Sequence, residues 1–218
     1  MNNFQAIIFD LDGVIINSEP IHARAKRIAF SRFGLEVPNE VYERFVGETD
    51  WKVVEYVVTH HGDESLSIQD VLDLKQSEFR SLIPEMESIP GALVFIKRAK
   101  VQYDKLVLVT SATPLNEKLS LEQFGLDNTF DFTINVEDVD HAKPHPEPYN
   151  RAIEKLNLPP ENCLIIEDSI NGITAAAASG AFVAGIETSL NKEQLLEAGA
   201  DIVFPDFQAL SHWLFNQD

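Results

Sequence analysis

Cysteine is almost absent from this chain: the single Cys163 excludes an internal disulfide, and its neighbours Leu164, Ile165 and Ile166 mark it as a core thiol, not a reactive one. Long apolar runs are missing too. No stretch approaches the ~20 residues that cross a bilayer, and the opening MNNFQ has neither the positive region nor the apolar stretch of a signal peptide. A soluble, cytoplasmic protein is therefore expected. Positive charge is scarce, with 17 Lys plus Arg against 35 Asp plus Glu and a formal net charge of −18, which argues against nucleic acid or an anionic membrane as a partner. Internal repeats and low-complexity segments are absent. At 218 residues the chain has length for one large domain, or for a medium domain carrying a smaller one.

What is present is a rhythm. Continuous apolar runs bounded by turn residues, the signature of strands covered on both faces, occur at 6–11, 105–111, 132–136, 163–168, 181–186 and 201–204. Helical patterns lie at 91–102, 115–124, 147–156, 170–179, 191–198 and 206–215. Strand alternating with helix predicts an α/β fold, a doubly wound parallel sheet with helices on both faces. One interval breaks the alternation. Residues 16–87 hold helical periodicity at 19–33, 39–45, 50–60 and 67–83, with breaks at FGLEVP and HHGDESLS, and no convincing strand. The expected domains are thus an α/β core of residues 1–15 and 88–218, and an inserted α-helical cap domain of residues 16–87 over the carboxyl edge of the sheet.

Ligands of open parallel sheets bind outside the carboxyl ends of the strands. Asp10 and Asp12 end the first run, Thr110 and Ser111 the second, Glu167 and Asp168 the CLII run, and Lys143 sits among turn-forming prolines in HAKPHPEPY. Carboxylates gathered there repel one another and resist desolvation unless a hard cation sits among them. Mg2+ takes oxygen ligands and keeps waters and a substrate phosphate oxygen. Asp10 and Asp168 are the expected ligands, with Asp12 close by and Glu167 beside them. Ser111, Lys143 and backbone N–H groups of the following helix suit a phosphate. A carboxylate can attack phosphorus and form an aspartyl-phosphate, and a second acid can protonate the leaving oxygen and then deprotonate water. Asp10, held by the strand, is the expected nucleophile. Asp12, two residues on along the same strand face, is the expected acid/base.

The same residues resemble a known family. DLDGV is similar to the first motif of the haloacid dehalogenase-like superfamily, LVTSA to its second at Ser111, AKPHPEPY to its third at Lys143, and IIEDSINGITAA to its fourth at Glu167 and Asp168. The resemblance spans essentially the whole chain, and the motifs come in the right order. It implies a Rossmann-like core, phosphorylation of Asp10, acid/base work by Asp12, and Mg2+ held by Asp10, the backbone carbonyl of Asp12, and Asp168. Ser111, Ala112 and Lys143 are the phosphate-binding candidates.

The position of the insert resembles the subgroup that includes β-phosphoglucomutase, phosphoglycolate phosphatase and sugar-phosphate phosphatases. Within it His22, in NSEPIHARAKR, and Lys75 match cap residues near the mutase's substrate. The mutase's cap arginine is replaced around Asp50 in VGETDW, and a lysine after the second-motif serine by Pro114. A mutase must hold a bisphosphate in two orientations, whereas a phosphatase anchors one phosphate. The expected function is therefore Mg2+-dependent hydrolysis of a small phosphorylated metabolite, a sugar or polyol phosphate, by a monomer. The mutase is the alternative, and a non-catalytic metabolite-binding or regulatory protein on the same scaffold is the alternative of another class.

Each candidate has a plainer role as well. Asp10 and Asp12 can be a strand-end turn, Ser111 a helix cap before Pro114, Lys143 a solvated loop lysine, and Glu167 and Asp168 caps of the next helix. Lys75 can be a solvated helix lysine and His22 a partly buried structural one. His60, His61, His141 and His145 are read as structural or exposed. Phe30, Phe33, Trp51, Tyr56 and Phe79 are read as the core of the insert, with lining of the substrate face as the alternative for Trp51.

Overall fold

The six apolar runs form six parallel strands. In a computed structural model, which describes residues 4–45, 49–62 and 66–216, the strands are β1 (Ala6–Phe9), β2 (Ile16–Asn17), β3 (Glu87–Ser88), β4 (Lys105–Val109), β5 (Phe132–Ile134), β6 (Cys163–Glu167), β7 (Phe182–Ile186) and β8 (Ile202–Phe204). The main sheet has the order β5-β4-β1-β6-β7-β8, with every neighbouring pair parallel. The chain runs outward from β1 to β4 and β5, then returns to the other side of β1 for β6. That reversal puts the carboxyl ends of β4, β1 and β6 side by side, where a doubly wound sheet opens its crevice.

Helices cover both faces of the sheet; numbered after the four helices of the insert, they are α5 (Ala92–Gln102), α6 (Pro114–Gln123), α7 (Glu147–Leu156), α8 (Ile170–Ala178), α9 (Lys192–Glu197) and α10 (Phe207–Phe215). Alternating strand residues serve the two layers. Ala6, Ile8, Val107, Val109, Cys163, Ile165 and Val183 cluster with Tyr149, Ala152 and Ile153 of α7 and with Ile173, Ala175 and Ala176 of α8. On the other side Phe9 meets Phe95 of α5, which meets Phe207 of α10. Cys163 is fully buried, and burial lifts its thiol to about 11, so it is a core residue as expected.

The chain divides into two compact units, Met1–Asn17 with Glu87–Asp218, and Ser18–Met86. The second is all helical: α1 (Glu19–Arg32), α2 (Asn39–Arg44), α3 (Asp50–His61) and α4 (Ile68–Leu82). Its core joins Phe30, Leu35, Val41, Val53, Val54, Val57, Val58 and Val71. Thr49 caps α3, accepting the Lys52 N–H, and Ser67 caps α4, accepting the Asp70 N–H. Two of the expected core aromatics are not core: Phe33, which ends α1 as its C-cap, and Trp51, in the first turn of α3, are both exposed. The short antiparallel β2–β3 pair, Ile16 opposite Ser88 and Asn17 opposite Glu87, was not legible as strand. Two residues are too few for any period. Residues 1–3 of MNNFQ, 46–48 of VGETDW and 63–65 of HHGDESLS lie outside the described residues. Among the described residues no helix is long and apolar enough to cross a membrane.

Candidate active site

Strand β1 stops at Phe9, earlier than its apolar run predicts, and the two opening acids therefore stand in different settings. Asp10 is buried directly at the strand end, its N–H donating to Ile166 O at 3.1 Å. Asp12 does not continue the strand face. It lies in the turn that follows, where Ile15 and Ile16 both donate to Leu11 O and Gly13 donates to Ile16 O at 2.8 Å. Period-2 geometry is thus replaced by a tight turn through Gly13 at φ +79°, a conformation that glycine adopts without a side-chain clash. A Cβ at Gly13 would also stand 2.0 Å from Asp168 Oδ2. The glycine is what lets the first turn approach the acid at the end of β6.

Lys143 reaches this point from the proline loop. Its Nζ donates to Asp10 Oδ1 at 2.6 Å, to Glu167 Oε1 at 2.8 Å and to Val109 O at 3.1 Å, with the Tyr149 ring 4.8 Å away. It is no solvated loop lysine, since its side chain is only 6% exposed. Glu167 accepts from Tyr149 OH at 3.0 Å, from the N–H groups of Asp168 and Ser169, and from Ser169 Oγ. Its lone pairs are taken up by donors. A Cβ at Gly172 would meet Glu167 Oε1 at 1.7 Å, so the glycine of SINGIT makes room for this carboxylate. Ser169, not Glu167 or Asp168, caps α8 by accepting the Gly172 N–H at 3.0 Å.

Asp168 accepts from Thr188 Oγ1 at 3.3 Å and from Ser189 Oγ; Thr188 also donates to Gly13 O at 2.6 Å. Thr188 and Ser189 were not among the expected site residues. The signal was available, since they follow the carboxyl end of β7 as Ser111 follows β4.

Asp10, Glu167 and Asp168 present carboxylate oxygens that all lie within 4.8 Å of one another. The Asp12 side chain is not one of this cluster. If all three acids ionise, Lys143 leaves an excess of two negative charges. Without a cation, this excess favours the protonated form of the acids. Burial, reinforced by the neighbouring acids, raises Asp10 well above the usual carboxylate range despite Lys143, and burial together with Glu167 raises Asp168 to about 7. Glu167 is shifted the other way: burial opposes ionisation, but Lys143 and the backbone donors outweigh it. Lys143 is held charged, burial being overcome by Asp10 and Glu167. A hard divalent cation suits this all-oxygen set and supplies the two missing charges. With Glu167 saturated, Asp10 and Asp168 are the side chains that fit it.

The phosphate-binding candidates at β4 are less uniform. Ser111 is exposed. It is not the cap of α6: Thr113 holds that position and accepts the Asn116 N–H. The Ala112 N–H is turned inward to Thr110 Oγ1 at 3.0 Å, so it is not directed at a ligand as expected.

In the helical unit, His22, Asp50 and Lys75 converge. Lys75 is fully buried, donates to His22 Nδ1 at 2.7 Å and forms an ion pair with Asp50, which also accepts from Gln76 Nε2 at 3.2 Å. His22 stacks on Phe79 at 4.1 Å. Burial, with Lys75 adding to it, lowers His22 to about 3, so the ring is neutral. Lys75 is therefore neither a solvated helix lysine nor a cation presented without a counter-charge.

A model of the haloacid dehalogenase-like hydrolases matches residues 7–186. A phosphorylated carbohydrates phosphatase of Thermotoga maritima is 33% identical over 207 residues, covering 90% of this chain and 92% of that protein. Hexitol phosphatase B of Escherichia coli (strain K12) is 32% identical over 179 residues, 80% of this chain and 79% of that one. Among solved structures, a putative β-phosphoglucomutase from Thermotoga maritima superposes with a TM-score of 0.84 at 27% identity, covering 96% of this chain and 98% of that chain. The match over residues 7–186 takes in every acid and the lysine of the buried cluster, and the chain belongs to the haloacid dehalogenase-like hydrolase family.

Proposed function

We propose that this chain is a Mg2+-dependent phosphatase acting on a small phosphorylated carbohydrate, a sugar or polyol phosphate, through an aspartyl-phosphate on Asp10. The observation that carries the reading is the convergence of Asp10, Lys143, Glu167 and Asp168 at the carboxyl ends of β1 and β6. The excess negative charge there is what a divalent cation and a phosphate monoester complete together. The names of the two phosphatase relatives support a carbohydrate or polyol substrate.

Asp10 and Asp168 would hold Mg2+, with the backbone carbonyl of Asp12; when bound, the cation neutralises the phosphate and keeps Asp10 ionised. An Asp10 carboxylate oxygen attacks phosphorus, and the bond from phosphorus to the substrate oxygen breaks as Asp12 gives that oxygen its proton. Asp12, now a carboxylate, takes a proton from water. The resulting hydroxide attacks phosphorus and the bond to Asp10 breaks, releasing phosphate. Lys143 and the Ser111 hydroxyl hold phosphoryl oxygens, and Glu167 keeps Lys143 in place. Asp12 suits proton transfer because its turn leaves it half-buried, whereas Asp10 is fixed at the strand end.

Hydrolysis is favoured over the mutase reaction by the ion pair of Lys75 with Asp50, which neutralises this buried cation within the helical unit. The deciding experiment offers phosphorylated sugars and polyols with Mg2+ and a bisphosphate primer, and measures both phosphate release and isomerisation. Phosphate release is the expected result; isomerised phosphate without release would establish the mutase. Binding without turnover across the panel would establish a non-catalytic protein.

A further inference from the structure

The loop that delivers Lys143 carries a second group of ligating side chains, and these include nitrogen. In HAKPHPE, His141 and His145 stand two residues to either side of Lys143, and Glu147 opens α7. The turn is fixed by His145 N–H donating to Ala142 O at 3.0 Å. His141 Nδ1 lies 2.9 Å from Glu147 Oε2, the two imidazole rings are 4.7 Å apart, and one donor atom from each of the three residues falls within 4.8 Å of the others. Both histidines are exposed. The other carboxylate oxygen, Oε1, is engaged by the Asp140 N–H at 2.9 Å and by Arg151. Oε2 accepts the His141 N–H at 2.9 Å and faces the rings.

We propose that His141, His145 and Glu147 form a surface site for a borderline transition-metal cation of the Zn2+ class, distinct from the all-oxygen cluster of Asp10, Glu167 and Asp168. Zn2+ binds His nitrogen and carboxylate oxygen at about 2.0–2.2 Å, which puts neighbouring ligand atoms roughly 3–3.5 Å apart. The His141–Glu147 edge, 2.9 Å as a hydrogen bond, lengthens slightly to that spacing when the shared proton leaves. The other edges close by turning the exposed His145 ring. In the metal-free protein the Nδ1 proton of His141 serves Glu147; on binding, that proton moves to Nε2 and the Nδ1 lone pair goes to the cation. His145 Nδ1 already carries its lone pair, which accepts the Glu147 N–H at 3.2 Å. That N–H belongs to the first turn of α7 and is left to water when the His145 ring turns to the cation. Imidazole ligands select against Mg2+, so the two sites sort their cations by donor chemistry.

The test is Co2+ titration of the full chain in excess Mg2+, read by visible d–d absorption. Wild type is expected to bind one equivalent. His141→Ala/His145→Ala should bind at least about tenfold more weakly, a loss of about 1.4 kcal/mol or more, and His145→Ala alone should lie between. Asp168→Asn, which alters only the oxygen cluster, should keep the signal. Thermal melts check that the variants fold, as their exposed positions lead one to expect. Absence of Co2+ binding in wild type, equal affinity in the double variant, or loss of the signal in Asp168→Asn would each overturn the proposal.

Discussion

Lys143 Nζ stands 2.6 Å from Asp10 Oδ1, although 133 residues separate the two in the chain. The contact is buried, with side-chain exposures of 6% and 10%, so it is poorly screened by water. It ties the proline loop to the end of β1 and sets a positive charge against the acids there.

Removing that charge should be costly in the metal-free protein. Lys143→Met leaves the Glu167 carboxylate buried without its cation, and breaking such a pair from one side costs about 3–5 kcal/mol. Urea unfolding in EDTA should show a loss of this order. Added Mg2+ should recover part of it, while phosphatase activity stays lost.

Asp10→Asn should abolish turnover, with kcat lower by about 10^3-fold or more, because the attacking oxygen pair becomes an amide. Acid quench of the wild-type enzyme during turnover, followed by mass spectrometry of the peptide containing Asp10, should reveal the phosphoryl adduct. Near wild-type rates in a folded Asp10→Asn enzyme would remove Asp10 from the mechanism.

Gly13→Ala combines two faults. A left-handed conformation costs a non-glycine residue roughly 1–2 kcal/mol, and the new Cβ collides with the Asp168 carboxylate. Displacing a residue proposed to hold Mg2+ should weaken apparent Mg2+ affinity by about 10–100-fold. Activity measured against Mg2+ concentration checks it, and an unchanged Mg2+ midpoint would separate Asp168 from the metal.

The neutral His22 should make the fold acid-sensitive. Its folded pKa is lowered to about 3, against ~6.5 in an unfolded chain. Between those values the unfolded state binds more protons, so stability is full above about pH 6.5 and is lost as pH falls toward 3. Lys75 and Asp50 face the ring, and Lys26 lies near enough to act on it. His22→Gln keeps an acceptor for Lys75 but cannot titrate. Its urea stability should therefore fall less between pH 7 and pH 4.5 than that of wild type. Parallel pH dependences in the two proteins would show that His22 is not the sensor.

Most of the sheet was legible because a strand buried on both faces leaves an unbroken apolar run, and β1, β4, β6 and β7 each do so. The motif acids were legible because polar residues ending such runs must fall at one edge of a parallel sheet. What was not legible came from turns and loops. The period-2 expectation for Asp12 failed because the strand gives way to a turn at Asp10, and no periodicity records where a ladder stops. Thr188 and Ser189 follow an expected strand as Ser111 does, but their contact with Asp168 is set only by the pairing of β7 beside β6.

The order of residues alone therefore determined the α/β class, the helical insert and the identity of the acids and lysine at the sheet edge, since burial imposes periods that sequence carries openly. Tertiary structure decided the rest: that Lys143 is shared by Asp10 and Glu167, that Gly13 and Gly172 stand against Asp168 and Glu167, and that Asp50 holds Lys75. Those are contacts between residues far apart in the chain, set by packing and charge compensation, which no local pattern encodes.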